Sequence, residues 1–449
     1  MVSFFKDSRT VANIDHLVKA MIEKRSLKLW TLATDKAEFE RHHRLLDGSL
    51  KTVVDESVVR DCLTSTALDS VGDNGFVVAL HDPCDIRKPY AKEMEHIGKV
   101  RALNGDIVNG YCTFDTVICD GDGKKLRPMD ITTYSNGDPA YVTQEEIKNF
   151  DKVDWEGWDD EKRSDLVEKL MASGDYHNLE TIRKDQLSRV SQALKASNPG
   201  RKIRHILDRQ NDDDCFFIWI DDDLEDEFVI RMKLSRNSTV SVKNPKTGRD
   251  VAIKLKDVDF SHGDAYGFSK LKIKGKIYQN VRCVVEWEEY PIKDHVFTVV
   301  RVTLLDRKGE MIFGEPMLLI TNVSVKSLAQ AYAIYRHYLL RAKIEGVFKF
   351  LKDLLGWEEF QIRDFAPIKN LLALGFYVAG YFYEIDSDLI REDIAQWLAE
   401  LGGVKKGKVT RFFILKGLSK LLTHMAVEQF VCDKSLNRKQ IKKLFAVIE

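Results

Sequence analysis

Three absences narrow what this chain can be. The seven cysteines (62, 84, 112, 119, 215, 283 and 432) form no C-x-x-C pair and no zinc-finger spacing. A disulfide scaffold and a cysteine-based metal module are set aside, and free thiols in a reducing cytoplasm are expected. Long hydrophobic runs are also missing. The longest apolar stretch, Leu371 to Tyr383, is too short to cross a bilayer and reads as a buried core helix or a dimer contact. Phe4 and Phe5 are followed at once by Lys6 and Asp7, so no secretory leader and no membrane partner are expected. Finally, net charge is nearly absent: 69 basic against 70 acidic residues leave −1. Bulk basicity therefore does not announce a nucleic-acid binder. A glycine-rich phosphate loop, a G-x-S-x-G elbow, a Ser/His/Asp order and an internal repeat are lacking too.

What is present describes a soluble globular protein. The 449 residues, 44% hydrophobic and 31% charged, suffice for two or three domains with a large core. Charge is unevenly spread. Arg231 to Val285 holds 13 Lys/Arg and 4 Asp, and Val404 to Leu444 holds 11 Lys/Arg and 2 acids. Asp212 to Glu227 alone contains nine acids. Two basic stretches beside an acidic one suit a grip on DNA next to a metal centre, although solvated loops and helix faces give the same pattern.

Periodicity predicts helices over residues 1 to 70, with apolar spacing near helical from Val11 to Leu29 and from Val53 to Leu63. Strands are predicted at Phe76–Leu80, Ile107–Cys119 and Met129–Tyr134, the last two joined by the turn Asp120-Gly121-Asp122-Gly123. Residues 140 to 200 read as helical and end at Asn198-Pro199-Gly200. Further strands are predicted at Lys202–Leu207 and Phe228–Met232, followed by a β-rich stretch from 234 to 316 with turns at Asn244-Pro245 and Lys274-Gly275. Met317–Thr321 is the last strand. One long helix is predicted from Val325 to Leu355, stopped by Gly356, and the rest is mostly helical. Ile390–Leu401, Gly402-Gly403 and the basic segment through Arg411 and Lys416 outline a helix-turn-helix. Phe412 and Phe413 favour helix packing or dimerisation there instead. His81, Cys84 and Asp85 lie close together, but the spacing does not favour a zinc site.

The most informative feature lies in that long helix. Tyr338, Arg341, Glu345 and Lys352 read Y-x2-R-x3-E-x6-K. At about 3.6 residues per turn these offsets return all four side chains to one narrow stripe. A carboxylate can ligate a hard metal ion, while two cations and a phenol can hold phosphates. Two aspartates follow predicted strands: Asp82 after Phe76–His81, and Asp208 after Lys202–Leu207. If those strands are adjacent and parallel, both carboxylates point into one crevice, and Glu345 can complete the set. Three carboxylates repel one another unless a cation joins them. Two Mg²⁺ ions about 3.5–4 Å apart, with Mn²⁺ able to substitute, would relieve the repulsion and create a phosphoryl-transfer centre. Taken singly, each aspartate is equally well a cap or turn former.

With these residues in place, the chain resembles a DDE transposase of the bacterial insertion-sequence group named for its Y-R-E-K signature. Tyr338, Arg341, Glu345 and Lys352 match the signature with every spacing intact. Asp208-Arg209 with Asp212 resembles the group's D-R-x-x-D pattern, and Asp82 stands where the first catalytic aspartate is expected. Ser327-Leu328-Ala329-Gln330-Ala331 is also similar to family sequence. The resemblance spans roughly residues 40 to 360. Gln210 stands where some relatives carry an acid. Trp287 is the one candidate for the family's base-stacking tryptophan, and its flanks are acidic. The resemblance implies an α/β fold: an RNase H-like core interrupted by a β-rich insertion, with helical N-terminal and C-terminal regions. The implied divisions are 1–70 (DNA binding), 71–233 (core), 234–316 (insertion), 317–360 (core with the signature helix) and 361–449 (dimerisation or DNA contact). It implies a cytoplasmic cut-and-paste enzyme, acting as a homodimer on the inverted-repeat ends of its element and on target DNA, with a hairpin formed on the transposon end. Asp82, Asp208 and Glu345 would hold the metals, and Tyr338, Arg341, Lys352 and Arg209 would hold phosphates. A non-catalytic DNA-binding descendant and a stand-alone RNase H-like nuclease are the alternatives.

Overall fold

Strand β1 (Phe76–Arg87) is buried at every residue from Val77 to Asp82, as a strand covered on both faces must be. It lies inside a large mixed sheet, seen in a computed structural model. The structure describes residues 8–47, 54–142, 176–234, 239–243, 250–254, 259–273, 275–385, 392–404 and 409–433. Among the described residues four helices precede the strand: α1 (Ser8–Lys24), α2 (Leu29–Leu32), α3 (Lys36–Leu46) and α4 (Glu56–Val71). Asp35 and Asp55 cap α3 and α4 by accepting the backbone N–H of Glu38 and Val58.

A short strand, β2 (Gly98–Arg101), then β3 (Ile107–Cys119) and β4 (Arg127–Tyr134) follow. β3 runs antiparallel to β1, and the Asp120–Gly123 turn sends β4 back along β3. Gly123 has φ of +73°, the left-handed conformation this turn needs. Helix α5 (Leu179–Ser197), held at its start by an Asn178–Thr181 capping box, is the crossover before β5 (Lys202–Leu207). β5 pairs parallel to β1. After α6 (Asp214–Trp219), β6 (Glu227–Arg231) pairs parallel to β5. These five strands stand in the order β4-β3-β1-β5-β6.

The β-rich stretch comprises β7 (Thr239–Lys243), β8 (Asp250–Lys254), β9 (His262–Ile273), β10 (Lys276–Ile292) and β11 (His295–Leu305), and it is followed by β12 (Met317–Thr321). β7 and β8 form a separate two-stranded sheet. The sequence suggested that residues 234–316 stand apart from the core sheet. Instead β12 pairs antiparallel to β6 and is continued by β11, β10 and β9, giving one ten-stranded sheet. The edge of β6 is thereby paired rather than left open. The Asn244-Pro245 turn and Lys274 lie outside the described residues. Gly275, with φ of +82°, turns β9 into β10.

The predicted long helix is two. α7 (Leu328–Leu339) and α8 (Ala342–Leu355) are separated at Leu340-Arg341, where the backbone N–H groups of Leu340, Arg341, Lys343 and Ile344 each bond three residues back. That tightening shifts α8 off the phase of α7, which apolar periodicity alone does not reveal. Gly356 closes α8 in the left-handed conformation, as expected. α9 (Phe365–Ile385) carries the apolar stretch Leu371–Tyr383 as a core helix against β4 and α4. α10 (Glu392–Leu401) and α11 (Arg411–Asp433) then pack together. A Cβ on Gly417 would lie 1.8 Å from the Leu398 carbonyl oxygen, so the two backbones touch there. Among the described residues no helix is long and apolar enough to cross a membrane.

Helices cover both faces of the central strands. Val78, Leu80, Cys84 and Ile86 of β1 join the core formed with α7, α8 and α9. Val77 and Ala79 face Ala67 and Val71 of α4 and Val190 and Leu194 of α5. Each large aliphatic side chain so buried contributes roughly 2 kcal/mol. Trp287, the candidate base-stacking residue, is buried on β10 and stacks on His262. It offers no exposed ring to a nucleotide.

Candidate active site

Strand pairing brings the two aspartates level. In the parallel β1–β5 pair Leu80 stands opposite Ile206, and the same offset sets Asp82 opposite Asp208, one residue beyond the end of β5. Both occupy positions of the same parity, so both side chains leave the same face of the sheet. Asp208 is half-buried and caps the short turn Arg209–Asn211. Its Oδ1 accepts from the Gln210 backbone N–H at 3.0 Å and the Asn211 side-chain amide at 2.9 Å. Those two bonds fix the carboxylate's orientation at the sheet edge.

Glu345 lies in the first turn of α8, where the helix dipole favours a carboxylate. Its side chain is more than half exposed. Arg341 joins it to the sheet. One guanidinium nitrogen lies 2.8 Å from Asp82 Oδ1 and the other 2.6 Å from Glu345 Oε1. Burial pushes the Asp82 carboxyl up to about 7; Arg341 opposes the rise, while Asp208 and Glu345 add repulsion. Asp82 thus senses both other carboxylates as well as the guanidinium. Burial lowers and the carboxylates raise the proton affinity of Arg341, with a net rise, so it stays charged. Tyr338, 6% exposed, has its phenol hydrogen-bonded to Arg341 and lies near Arg231.

The other expected phosphate holders sit differently. Lys352 donates to the Asp85 carbonyl oxygen at 2.6 Å and pairs with Glu358 at 3.0 Å. Glu358 also accepts from two Arg87 guanidinium nitrogens, Nε and Nη2, at 2.8 Å each. Although burial opposes it, Arg87 and Lys352 hold the Glu358 carboxyl below the usual range. Lys352 therefore pins α8 to β1. Arg209 is exposed in the turn after Asp208 and takes no part in the Asp82–Arg341–Glu345 bridge. Asp212 accepts the Lys233 backbone N–H at 2.8 Å, tying this loop to the exit of β6.

Several neighbours were not legible from sequence. Asp115 lies directly opposite Asp82 in the β1–β3 register and is fully buried. Thr113 donates to its Oδ2 at 2.5 Å, while Oδ1 has no hydrogen-bond partner. Burial, with Asp82 and Glu56 adding to it, raises this carboxyl well above its ordinary range, so it is neutral. Nothing in the local pattern around Asp115 shows which strand it will face. Arg183 of α5 reaches Gln210 at 3.3 Å beside Asp208. On the opposite face of β1, His81 bonds Thr116 at 2.8 Å and His205 at 2.9 Å, and His205 bonds Asp226 at 3.1 Å. This buried chain locks β1 to β5, and it places His81 and Cys84 on opposite faces, so they do not share a zinc ion.

No protein-family model matches the chain and no curated protein matches it, so the site is read from its geometry and its signature residues.

Proposed function

We propose that the chain is a metal-dependent DNA transposase whose centre is Asp82, Asp208 and Glu345. The observation that carries this is the bridge from Asp82 through the signature arginine, Arg341, to Glu345, with Asp208 on the adjacent parallel strand close enough to act on the Asp82 carboxyl. Three antiparallel strands followed by two parallel ones, in the order β4-β3-β1-β5-β6, support reading the core as RNase H-like.

The donor set fits hard divalent ions. All three groups offer carboxylate oxygens, and burial, with repulsion from Asp208 and Glu345 added, pushes the Asp82 carboxyl up to about 7. Two Mg²⁺ ions held by Asp82, Asp208 and Glu345 would supply an activated water and neutralise a leaving oxygen. The protein's own residues do the positioning. Asn211 and Gln210 orient Asp208, and the α8 N-terminus presents Glu345. The Arg341 fork, one nitrogen on Asp82 and the other on Glu345, can turn to a phosphodiester when metal ions take those carboxylates. Tyr338 holds that fork by its hydrogen bond, and Arg231, Arg183 and Arg209 are nearby cations for the strand. The chain would act as a homodimer, each copy gripping one inverted-repeat end.

The test uses a duplex carrying the inverted repeat that flanks the coding sequence. Wild-type protein with Mg²⁺ should nick the strand at the repeat's end and join the freed 3′ end to target DNA; Asp208→Asn should do neither. Nicking without joining would favour a stand-alone nuclease. Binding without nicking would favour a non-catalytic DNA-binding protein.

A further inference from the structure

A second cluster of metal-binding groups lies in the N-terminal helices. His16 is on α1; Glu38 and His42 are one turn apart on α3 and share a face. Their ligand atoms all lie within 4.8 Å of one another. His16 Nε2 and Glu38 Oε1 are in contact. The other carboxylate oxygen of Glu38 receives the Thr34 backbone N–H at 2.5 Å and the Thr34 hydroxyl at 2.6 Å. His42 is the independent observation. It is 1% exposed, yet neither of its ring nitrogens has a hydrogen-bond partner. A buried imidazole with both nitrogens unsatisfied is costly and calls for an explanation.

We propose that His16, Glu38 and His42 form a binding site for a divalent ion of the zinc class, which clamps α1 to α3. Two imidazoles and one carboxylate are a donor set that zinc accepts and magnesium does not favour. The half-exposed His16 side chain opens the site to solvent, which provides an entry path. Thr34 orients the Glu38 carboxylate in the way outer-shell groups orient metal ligands. Protonation suits the role as well. Burial lowers the proton affinity of His42, so it is neutral with a lone pair to donate. Although burial works against it, Thr34 and His16 hold the Glu38 carboxyl down at about 2, so it is charged. Arg41 is the nearby cation whose charge acts in the same sense on His42.

The site is separate from the Asp82 centre, and its test does not depend on catalysis. The full-length chain in a Glu345→Gln background, which weakens the acidic centre, is stripped with chelator and titrated with Zn²⁺ against a chromophoric competitor. One equivalent should saturate the protein and raise its melting temperature by a few degrees, and Mg²⁺ should not. His16→Ala, at an exposed position that does not threaten folding, should weaken Zn²⁺ binding roughly a hundredfold. His42→Gln should do the same. Co²⁺ in place of Zn²⁺ should give a weak visible spectrum without thiolate charge-transfer bands. Absence of saturable binding, unchanged affinity in His16→Ala, or a thiolate spectrum would each overturn the proposal.

Discussion

The Arg341 guanidinium lies 2.8 Å from Asp82 and 2.6 Å from Glu345, so one side chain of the signature helix neutralises part of the carboxylate cluster it stands beside. It occupies ground that the proposed metal ions would share. Removing it should therefore have opposite effects on the two ligands. Arg341→Ala should bind Mn²⁺ more tightly in the absence of DNA, by about tenfold if the coupling is worth one pKa unit. The same variant should bind repeat-end DNA more weakly, with a salt-dependence slope shallower by about 0.9. Paramagnetic titration with Mn²⁺ and gel shifts across a salt series measure the two. Loss of Mn²⁺ binding would show that Arg341 builds the metal site rather than competing for it.

Glu345 should separate chemistry from grip. It is the one acidic residue of the signature, and it is exposed at the start of α8. Glu345→Gln should lower Mg²⁺-dependent strand cleavage by roughly a thousandfold or more while leaving end binding intact or slightly stronger, since a negative charge near phosphate is gone. A cleavage assay beside a gel shift decides. Cleavage at the wild-type rate would remove Glu345 from the centre.

Asp115 carries a pH signature. Its carboxyl is raised well above the usual value, chiefly by burial, so the folded protein keeps a proton that the unfolded chain releases above about pH 4. The folded state binds more protons, so this group's contribution to stability is full at low pH and is lost as pH rises. The loss is about 1.4 kcal/mol per pH unit until the folded-state value is reached. Asp115→Asn cannot ionise and should remove that slope. Above about pH 4 and without divalent ions, the variant's melting temperature should gain on wild type as pH rises. Parallel curves would mean that Asp115 is ionised in the fold.

Lys270 and Lys272 project from β9, the outer strand of the extended sheet, and both are exposed. Lys274, the third lysine of this run, lies outside the described residues. Reversing Lys270 and Lys272 to glutamate should weaken repeat-end binding at low salt and flatten its salt dependence by about 2 units of slope, without changing Mg²⁺ affinity. Unchanged binding across the salt series would show that DNA does not reach this edge.

Much of the architecture was legible in advance. β3, β5 and β12 fall where alternation and β-rich composition placed them, and the Asp120–Gly123 turn lies between β3 and β4. These signals are local: side chains repeat every two residues on a strand, and turns need glycine or aspartate at fixed offsets. Asp208 was identifiable because it follows β5, whereas Asp82, expected at a strand end, lies within β1, which antiparallel pairing with β3 carries on to Arg87. Their meeting depended on β1 and β5 being adjacent and parallel, which the sequence allowed but did not require.

Sequence by itself determined strands such as β3, β5 and β12, the charge stretches and the Y-x2-R-x3-E-x6-K spacing. Tertiary structure decided the rest. It broke the signature helix at Leu340-Arg341, turned Arg341 toward Asp82, gave Lys352 to Glu358, and extended the core sheet through β12. It also set Asp115 across from Asp82 and left His42 buried beside His16 and Glu38. The physical reason is range. Periodicity and turn chemistry act over a few residues, whereas pairing partners, burial and the balance of charge depend on groups tens to hundreds of residues apart that only the folded chain brings together.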